Sequence, residues 1–188
     1  MKLYYSIFIL MLFFIGCREA IVPKPNAFLS LKYPEAFYQN IALDLPFKFD
    51  KNKLAIVEGT EYKESSQSLN LNYPLLKAKL YLSYRPLNEK LDRYVSETEF
   101  TTKNHAKLAH EITEQKFENF RTNAYGKMYA LTGPVASQYQ FYVTDSSQHF
   151  LTGSLYFKVK PNYDSILPAV RYLQKDLIRL VESLEWKF

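Results

Sequence analysis

The chain has 188 residues, a formal net charge of +5 and a single cysteine, and these numbers limit what it can be. This length favours one domain, and one cysteine excludes an intramolecular disulfide. The 24 basic residues are scattered among 19 acidic ones without a long run of like charge, which argues against nucleic-acid binding. Five glycines offer little for phosphate-cradling loops, whereas 16 tyrosines and 14 phenylalanines favour strands.

The N-terminus has the layout of a bacterial signal peptide. Lys2 supplies a positive charge, residues 7–15 form an unbroken apolar run, and Gly16 precedes the cysteine. Nine apolar residues are too few to cross a bilayer, because a spanning helix needs about 20. We therefore predict a signal peptide over residues 1–16. The alternatives are an ordinary cleaved signal with a chance cysteine, or a short N-terminal anchor.

The end of the apolar run, Phe14-Ile15-Gly16-Cys17, resembles a lipobox. In a lipobox the cysteine thiol receives a diacylglycerol and becomes the first residue of the mature protein. One acyl chain binds a membrane only marginally, whereas two or more hold a protein there stably. We therefore predict that Cys17 is lipidated and that this lipid is the protein's contact with the membrane.

Residues 17–27 are predicted to be a tether, because Pro23 and Pro25 favour an extended chain. Lipoproteins displayed on the cell surface carry an acidic cluster behind the cysteine, and here that position holds only Glu19. This favours the periplasmic side. Because no aspartate follows Cys17, the retention signal of some inner-membrane lipoproteins is missing, and the outer membrane is favoured over the inner membrane.

Residues 28–188 are predicted to form one domain that begins with short strands. Residues 28–33 alternate and stop at Pro34, which is typical of an edge strand. Further strand candidates with apolar positions follow at residues 45–49, 54–57, 69–73 and 78–84. The last two form a hairpin-like pair.

The spacing of apolar residues then changes from every second residue to every third or fourth residue. Asn88 is a suitable N-cap, and residues 89–109 are predicted to form an amphipathic helix. Strands are predicted over residues 112–120 and 124–131.

The last third predicts a hairpin and a second helix. Residues 139–143 and 149–159 alternate around a polar turn, and Gly153 indicates a bulge or the close approach of another backbone. A strong apolar stripe predicts a helix over residues 166–185, with Ser165 as its cap and Asp176 off the stripe. The element order predicts an α+β fold, in which two helices (89–109 and 166–185) cover a mainly antiparallel sheet.

Few residues suggest catalysis. His105 and His110 are five residues apart and do not share a helix face, so we expect no metal site. His149 follows Thr-Asp-Ser-Ser, which allows either a Ser–His–Asp site or a hairpin turn; without a GxSxG-like elbow we favour the turn. The glutamate pairs 97/99 and 111/114 could be carboxylate pairs for hydrolysis, but solvated charges explain them equally well. We expect no enzyme and no cofactor.

The tyrosines suggest an interaction surface instead. Tyrosine is amphipathic and enriched at protein interfaces. We select Tyr142, His149 and Tyr156 as the candidate interaction surface, with ordinary core and edge packing as the alternative interpretation.

Several stretches, in order along nearly the whole mature chain, resemble the gliding-motility lipoprotein family GldD. They are residues 23–25, 45–49, 82–86, 140–146, 149–157, 161–165 and 182–186. The resemblance implies a lipid-anchored protein of gliding Bacteroidota, needed for gliding and for the linked type IX secretion system. The resemblance implies no catalytic residues. It implies partners among other Gld proteins, in particular the membrane protein GldE. The element order also looks like the Mog1/PsbP-type α-β-α sandwich, a likeness of fold without implied activity.

Two functional hypotheses follow. The first is a non-enzymatic assembly or stabilising factor that docks on a motility or secretion protein, which a flat tyrosine-rich patch would favour. The second is a periplasmic module that binds a small ligand or lipid, in an aromatic groove beside His149 or under the last helix. A single apolar pocket with a few polar groups would favour the second hypothesis.

Overall fold

A computed structural model describes residues 33–41, 43–63, 66–158 and 163–187. Cys17, the predicted signal peptide and the tether lie outside the described residues, as does the strand predicted over 28–33 except for Tyr33. The elements of the described chain are β1 (Tyr38–Asn40), β2 (Phe47–Lys48), β3 (Asp50–Asn52), β4 (Ile56–Lys63), β5 (Ser66–Tyr73), β6 (Ala78–Pro86), α1 (Leu91–His105), β7 (Glu111–Asn119), β8 (Ala124–Thr132), β9 (Ser137–Thr144), β10 (His149–Phe157), α2 (Tyr163–Glu182) and β11 (Glu185–Trp186).

One antiparallel sheet of seven strands forms the centre of the described fold, in the order β4-β5-β6-β10-β9-β8-β7. Each half of this sheet is a meander, because its strands pair with their neighbours along the chain. The halves join where β6 pairs with β10, and α1 is the connection between them. Two small antiparallel pairs, β1 with β3 and β2 with β11, flank the sheet.

The alternation of side chains gives the sheet two different faces. The face towards α2 carries the main core, in which apolar side chains of the central strands meet the apolar stripe of α2. Among these are Leu82, Phe141 and Leu151 from the sheet and Leu173 and Leu177 from the helix, each no more than 1% exposed. Burying a side chain of this size is worth roughly 1.5–3 kcal/mol, so this face supplies most of the hydrophobic stabilisation.

The opposite face carries α1 over a smaller and more polar contact. Ala106 packs there with Tyr129, Leu131 and Val135 in a second apolar cluster. The buried Thr102 of α1 donates a hydrogen bond of 2.9 Å to the Gln140 side chain of β9. The structure therefore confirms the predicted α+β class, with one helix on each face of an antiparallel sheet; the likeness to the Mog1/PsbP type stays a prediction.

The first helix is shorter than predicted. It begins at Leu91 with Lys90 as the N-cap residue and no side-chain cap, so the assignment of Asn88 as the cap was wrong. It ends at His105, and a short 3₁₀ turn, Ala106–Leu108, brings the chain to the second apolar cluster.

The second helix begins earlier and ends earlier than predicted. It starts at Tyr163, two residues ahead of the proposed cap Ser165, and ends at Glu182. The helix cannot continue to residue 185 because Glu185 and Trp186 pair with β2 as a strand. The indole N–H of Trp186 also donates a hydrogen bond to the carbonyl of Asn123 at 3.1 Å, which holds the chain end against the sheet.

Gly153 marks a close approach, but of a side chain and not of a backbone. It pairs in regular register with Phe141 and Leu82, and the irregularity of β10 lies further on, between Leu155 and Tyr156. A Cβ atom at position 153 would lie 2.2 Å from carbons of the Phe141 ring. Only glycine therefore lets this ring lie flat across the sheet.

Candidate functional site

The three residues of the predicted interaction surface lie on two different faces of the sheet. Tyr142 and Tyr156 belong to the α1 face, whereas His149 is only 7% exposed and belongs to the α2 face. His149 and Tyr156 are seven residues apart on one strand, so the period of two already separates them. The three residues do not form one surface, and binding of a partner by Tyr142 and Tyr156 stays a prediction.

Tyr142 and Tyr156 contact different aromatic side chains on the α1 face. Tyr142 stacks on Phe150 with ring centroids 5.5 Å apart, and Phe150 lies 5.3 Å from Tyr94 of α1. Tyr156 instead meets Tyr81 edge to face at 5.5 Å, and Tyr81 is 44% exposed. Tyr156 also lies 6.3 Å from the His105 ring of α1. Tyr81 is therefore exposed on this face, whereas Tyr142 and Tyr156 are both half-buried.

His149 is a member of a buried aromatic cluster. Its Nδ1 lies 2.8 Å from the Tyr84 hydroxyl, and its ring stacks on Trp186 at 4.8 Å with an angle of 6°. Burial lowers the pKa of His149 below the ordinary value of 6.5, more than the nearby Asp145 charge raises it. The groove predicted beside His149 is filled by these aromatic rings.

The turn before His149 is held by Asp145. One carboxylate oxygen accepts hydrogen bonds from the backbone N–H groups of Ser147, Gln148 and His149 at 2.8–3.0 Å, and the other accepts the Ser147 hydroxyl at 2.8 Å. Burial alone would raise the pKa of Asp145, but these hydrogen bonds lower it overall. Asp145 thus accepts hydrogen bonds within the turn, and His149 contacts Tyr84. These contacts support the interpretation of residues 144–149 as a hairpin turn over that of a Ser–His–Asp site.

Three of the four glutamates named from the sequence form ion pairs: Glu97 and Glu99 join α1 to the sheet, and Glu114 joins β7 to β8. Glu99 and Glu114 both lie close to the Lys127 ammonium group, at 2.8 Å and 3.2 Å. The hydrogen bond to Glu99 is the largest cause of the raised pKa of Lys127. Glu97 pairs with Arg85 at 3.1 Å. Within the described ranges, no group of three or more His, Cys, Asp or Glu residues is placed to hold a metal ion.

A polar cleft of about 320 Å³ opens between α1 and the strands β5, β6, β9 and β10. Its lining is mostly hydroxyl and amide groups with one ion pair: Ser66, Ser83, Arg85, Glu97, Thr98, Thr101, Gln140, Phe141, Thr152, Gly153 and Ser154. The volume is at the lower end of the range for small-molecule sites, about 300–1,000 Å³, but such sites are mostly apolar.

The groups in this polar cleft have fixed orientations. The Arg85 guanidinium lies 4.8 Å from the Tyr94 ring centroid and pairs with Glu97, which fixes its plane. Thr98 and Thr101 donate their hydroxyl protons to helix carbonyls at 2.9 Å, so their oxygens face the cleft as acceptors. The arrangement can hydrogen-bond a small polar molecule.

A buried carboxylate on the second helix was missed by sequence analysis. Asp176 is 4% exposed, although it was predicted to lie off the apolar stripe. It follows Leu173 by three residues and precedes Leu180 by four, which places it on the buried face. That spacing was the signal that could have identified it.

Donors from two N-terminal strands converge on the Asp176 carboxylate. Tyr38 of β1 donates its hydroxyl at 2.8 Å, and Asn52 of β3 donates its amide N–H groups at 2.9 Å and 3.2 Å. Burial raises the pKa of Asp176, and the hydrogen bonds from Tyr38, Asn52 and Tyr73 only partly offset this. This carboxylate therefore fastens β1 and β3 to α2.

The described chain is an α+β domain with one helix on each face of an antiparallel sheet, and it follows a predicted lipobox. The model of the family "Gliding motility lipoprotein GldD" matches residues 18–186, so the chain belongs to this family of gliding-motility lipoproteins and the predicted resemblance is confirmed. Comparison with curated proteins gives no match. No helix in the described part of the chain is long and apolar enough to span a membrane.

We predict that Asp176→Ala lowers the free energy of unfolding by about 1–3 kcal/mol, because the buried donors of Tyr38 and Asn52 lose their acceptor. Urea unfolding followed by the fluorescence of the single tryptophan, Trp186, measures this change. The exposed Glu182→Ala at the end of the same helix should change stability by less than about 0.5 kcal/mol. Equal effects of the two substitutions would contradict the assignment.

The same carboxylate predicts a pH dependence. Because the folded-state pKa of Asp176 is raised, the folded protein binds this proton more tightly than the unfolded chain does. Its contribution to stability therefore falls as pH rises from about 4 through the raised pKa. Asp176→Asn removes this titration, so the stability of the wild type relative to this variant should decrease across that window. A pH-independent difference would contradict the raised pKa.

Proposed function

We propose that the protein is held in the cell envelope by lipid on Cys17 and supports gliding and the associated type IX secretion. In this proposal it is a non-enzymatic assembly or stabilising factor that acts through protein–protein contacts. The observation that carries the proposal is the family match, which covers residues 18–186 and thus begins directly behind Cys17.

The contacts of the candidate catalytic residues support a non-enzymatic role. His149 stacks in an aromatic cluster, Asp145 holds a turn, and Glu99 pairs with Lys127. Each of these groups has a structural use that accounts for its position. The exposed Tyr81, with the half-buried Tyr156 against it, offers the aromatic surface that protein interfaces favour.

The proposed location is the periplasmic side of a membrane, with the outer membrane favoured over the inner membrane. Glu19 is the only acidic residue of the tether, and no aspartate follows Cys17. The proposed partners are other gliding and secretion proteins, in particular GldE, as the family resemblance implies.

A periplasmic module for a small ligand is the second candidate function. The polar cleft beside α1 is the observation that favours it, because its hydroxyl groups and its Arg85–Glu97 pair are held in place. The cleft suits a polar molecule and not a lipid.

We predict that Cys17→Ala, expressed in cells that lack the native gene, abolishes gliding and lowers adhesin secretion. Without the cysteine no acyl chains can be attached, and stable anchoring needs more than one chain. Fractionation should find the exported variant outside the membrane. Gly16→Ala keeps a small residue ahead of the cysteine and should behave as wild type. Normal gliding by an exported Cys17→Ala variant would contradict the role of the anchor.

The assembly role predicts contact at the Tyr81–Tyr156 pair in living cells. A photo-crosslinking amino acid at Tyr81 should capture a motility or secretion protein, which mass spectrometry then identifies. The same amino acid at Phe120, which is 74% exposed in the turn between β7 and β8, serves as the control. Capture of the protein alone, or equal capture from both positions, would count against a partner on this surface.

A further inference from the structure

A second cleft lies where the described chain begins. It has a volume of about 450 Å³ and lies between residues 33–36 on one side and Arg171, Tyr172 and Lys175 of α2 on the other. The rings of Tyr33 and Tyr172 lie 5.2 Å apart within it. Its wall is mostly apolar, unlike that of the polar cleft beside α1. We call this surface the Tyr33 face.

Basic side chains border the Tyr33 face in a row. Arg171, Lys175 and Arg179 recur every four residues on α2 and are all exposed. Three carboxylates lie nearby: Glu35 lines the cleft, Asp50 pairs with Arg179 at 2.5 Å, and Asp176 is buried and hydrogen-bonded inward. The cleft itself therefore has more positive than negative charge.

The position of the Tyr33 face along the chain limits its distance from the membrane. Tyr33 is the sixteenth residue after Cys17, and sixteen residues span at most about 55–60 Å. With Cys17 in the bilayer, this face remains within that distance of the lipid headgroups. Because the anchor makes further contact intramolecular, with an effective concentration in the millimolar range, weak contacts suffice.

We propose that the Tyr33 face rests on the bilayer surface. The tyrosine rings would lie at the headgroup level, where aromatic side chains are favoured, and Arg171 and Lys175 would contact anionic phosphate groups. This inference rests on the lipid anchor proposed above. An apolar cleft, a flanking basic row and a position only a few residues after the predicted tether fit a lipid surface better than a protein partner.

The lipid-modified cysteine makes this docking measurable on the full chain. Cys17 is the only cysteine, so an introduced cysteine is the one free thiol for an environment-sensitive dye. Ala36→Cys puts the dye in the cleft, and Lys103→Cys puts it on the exposed side of α1, across the sheet. The lipidated protein is reconstituted in vesicles of 70% phosphatidylethanolamine and 30% phosphatidylglycerol, and in phosphatidylcholine alone.

We expect the emission of the dye at position 36 to shift to the blue in the anionic vesicles and to be quenched by brominated lipid, with neither change at position 103. Each basic residue near an anionic surface is worth about a fivefold change in partition. The charge reversals Arg171→Glu and Lys175→Glu should therefore lower the docked population by about 30-fold or more. The matched reversals Lys103→Glu and Lys107→Glu on the α1 side should leave it unchanged.

The outcomes separate this inference from the proposed function. A protein that floats with the vesicles while the dyes at both positions stay in water keeps the anchor and overturns docking of the Tyr33 face. If the emission of the dye at position 36 shifts only when envelope proteins are added, the Tyr33 face binds a protein and not the bilayer, which overturns this inference. A protein that does not float overturns the anchor and this inference together.

Discussion

The buried carboxylate of Asp176 is the contact on which the placement of the N-terminal region depends. Tyr38 and Asn52 reach it from β1 and β3, two strands that pair with each other and not with the main sheet. Asp50 of β3 also pairs with Arg179, and its backbone N–H donates a hydrogen bond to the Ser183 hydroxyl at 2.9 Å, but these partners are exposed or partly buried. A buried carboxylate, in contrast, is stable only when donors surround it. The carboxylate therefore helps to fix β1 and β3 on α2, and with them the position of the Tyr33 face.

The two faces of the sheet have different roles in the domain. The α2 face is an apolar core that includes Phe141 across Gly153, and it also buries His149. The α1 face is polar and only partly covered, and it holds both the small polar cleft and the Tyr81–Tyr156 pair, of which Tyr81 is exposed. The candidate binding surfaces described above thus lie on the α1 side and at the start of the described chain.

Most of the fold could be predicted because apolar residues alternate in the strands and recur every three to four residues in the helices. The ends of α2 could not, since its last turn competes with the pairing of Glu185 and Trp186 to β2, a long-range contact. The alternation of side chains along β10 could have shown that His149 and Tyr156 lie on opposite faces of the sheet. The spacing of Asp176 from Leu173 and Leu180 could have placed it in the core. The partners of Asp176 come from residues more than 120 positions away, which no local pattern indicates.

The chain belongs to a family of gliding-motility lipoproteins. We propose that its domain is anchored by a lipid on Cys17. Mass spectrometry of the N-terminal peptide, isolated from envelope membranes of the native cells, tests the claim most directly. A lipid anchor on Cys17 predicts a mature chain that begins at Cys17 and carries a diacylglycerol on its sulfur atom. A chain that begins elsewhere, or a Cys17 with a free thiol, would contradict it.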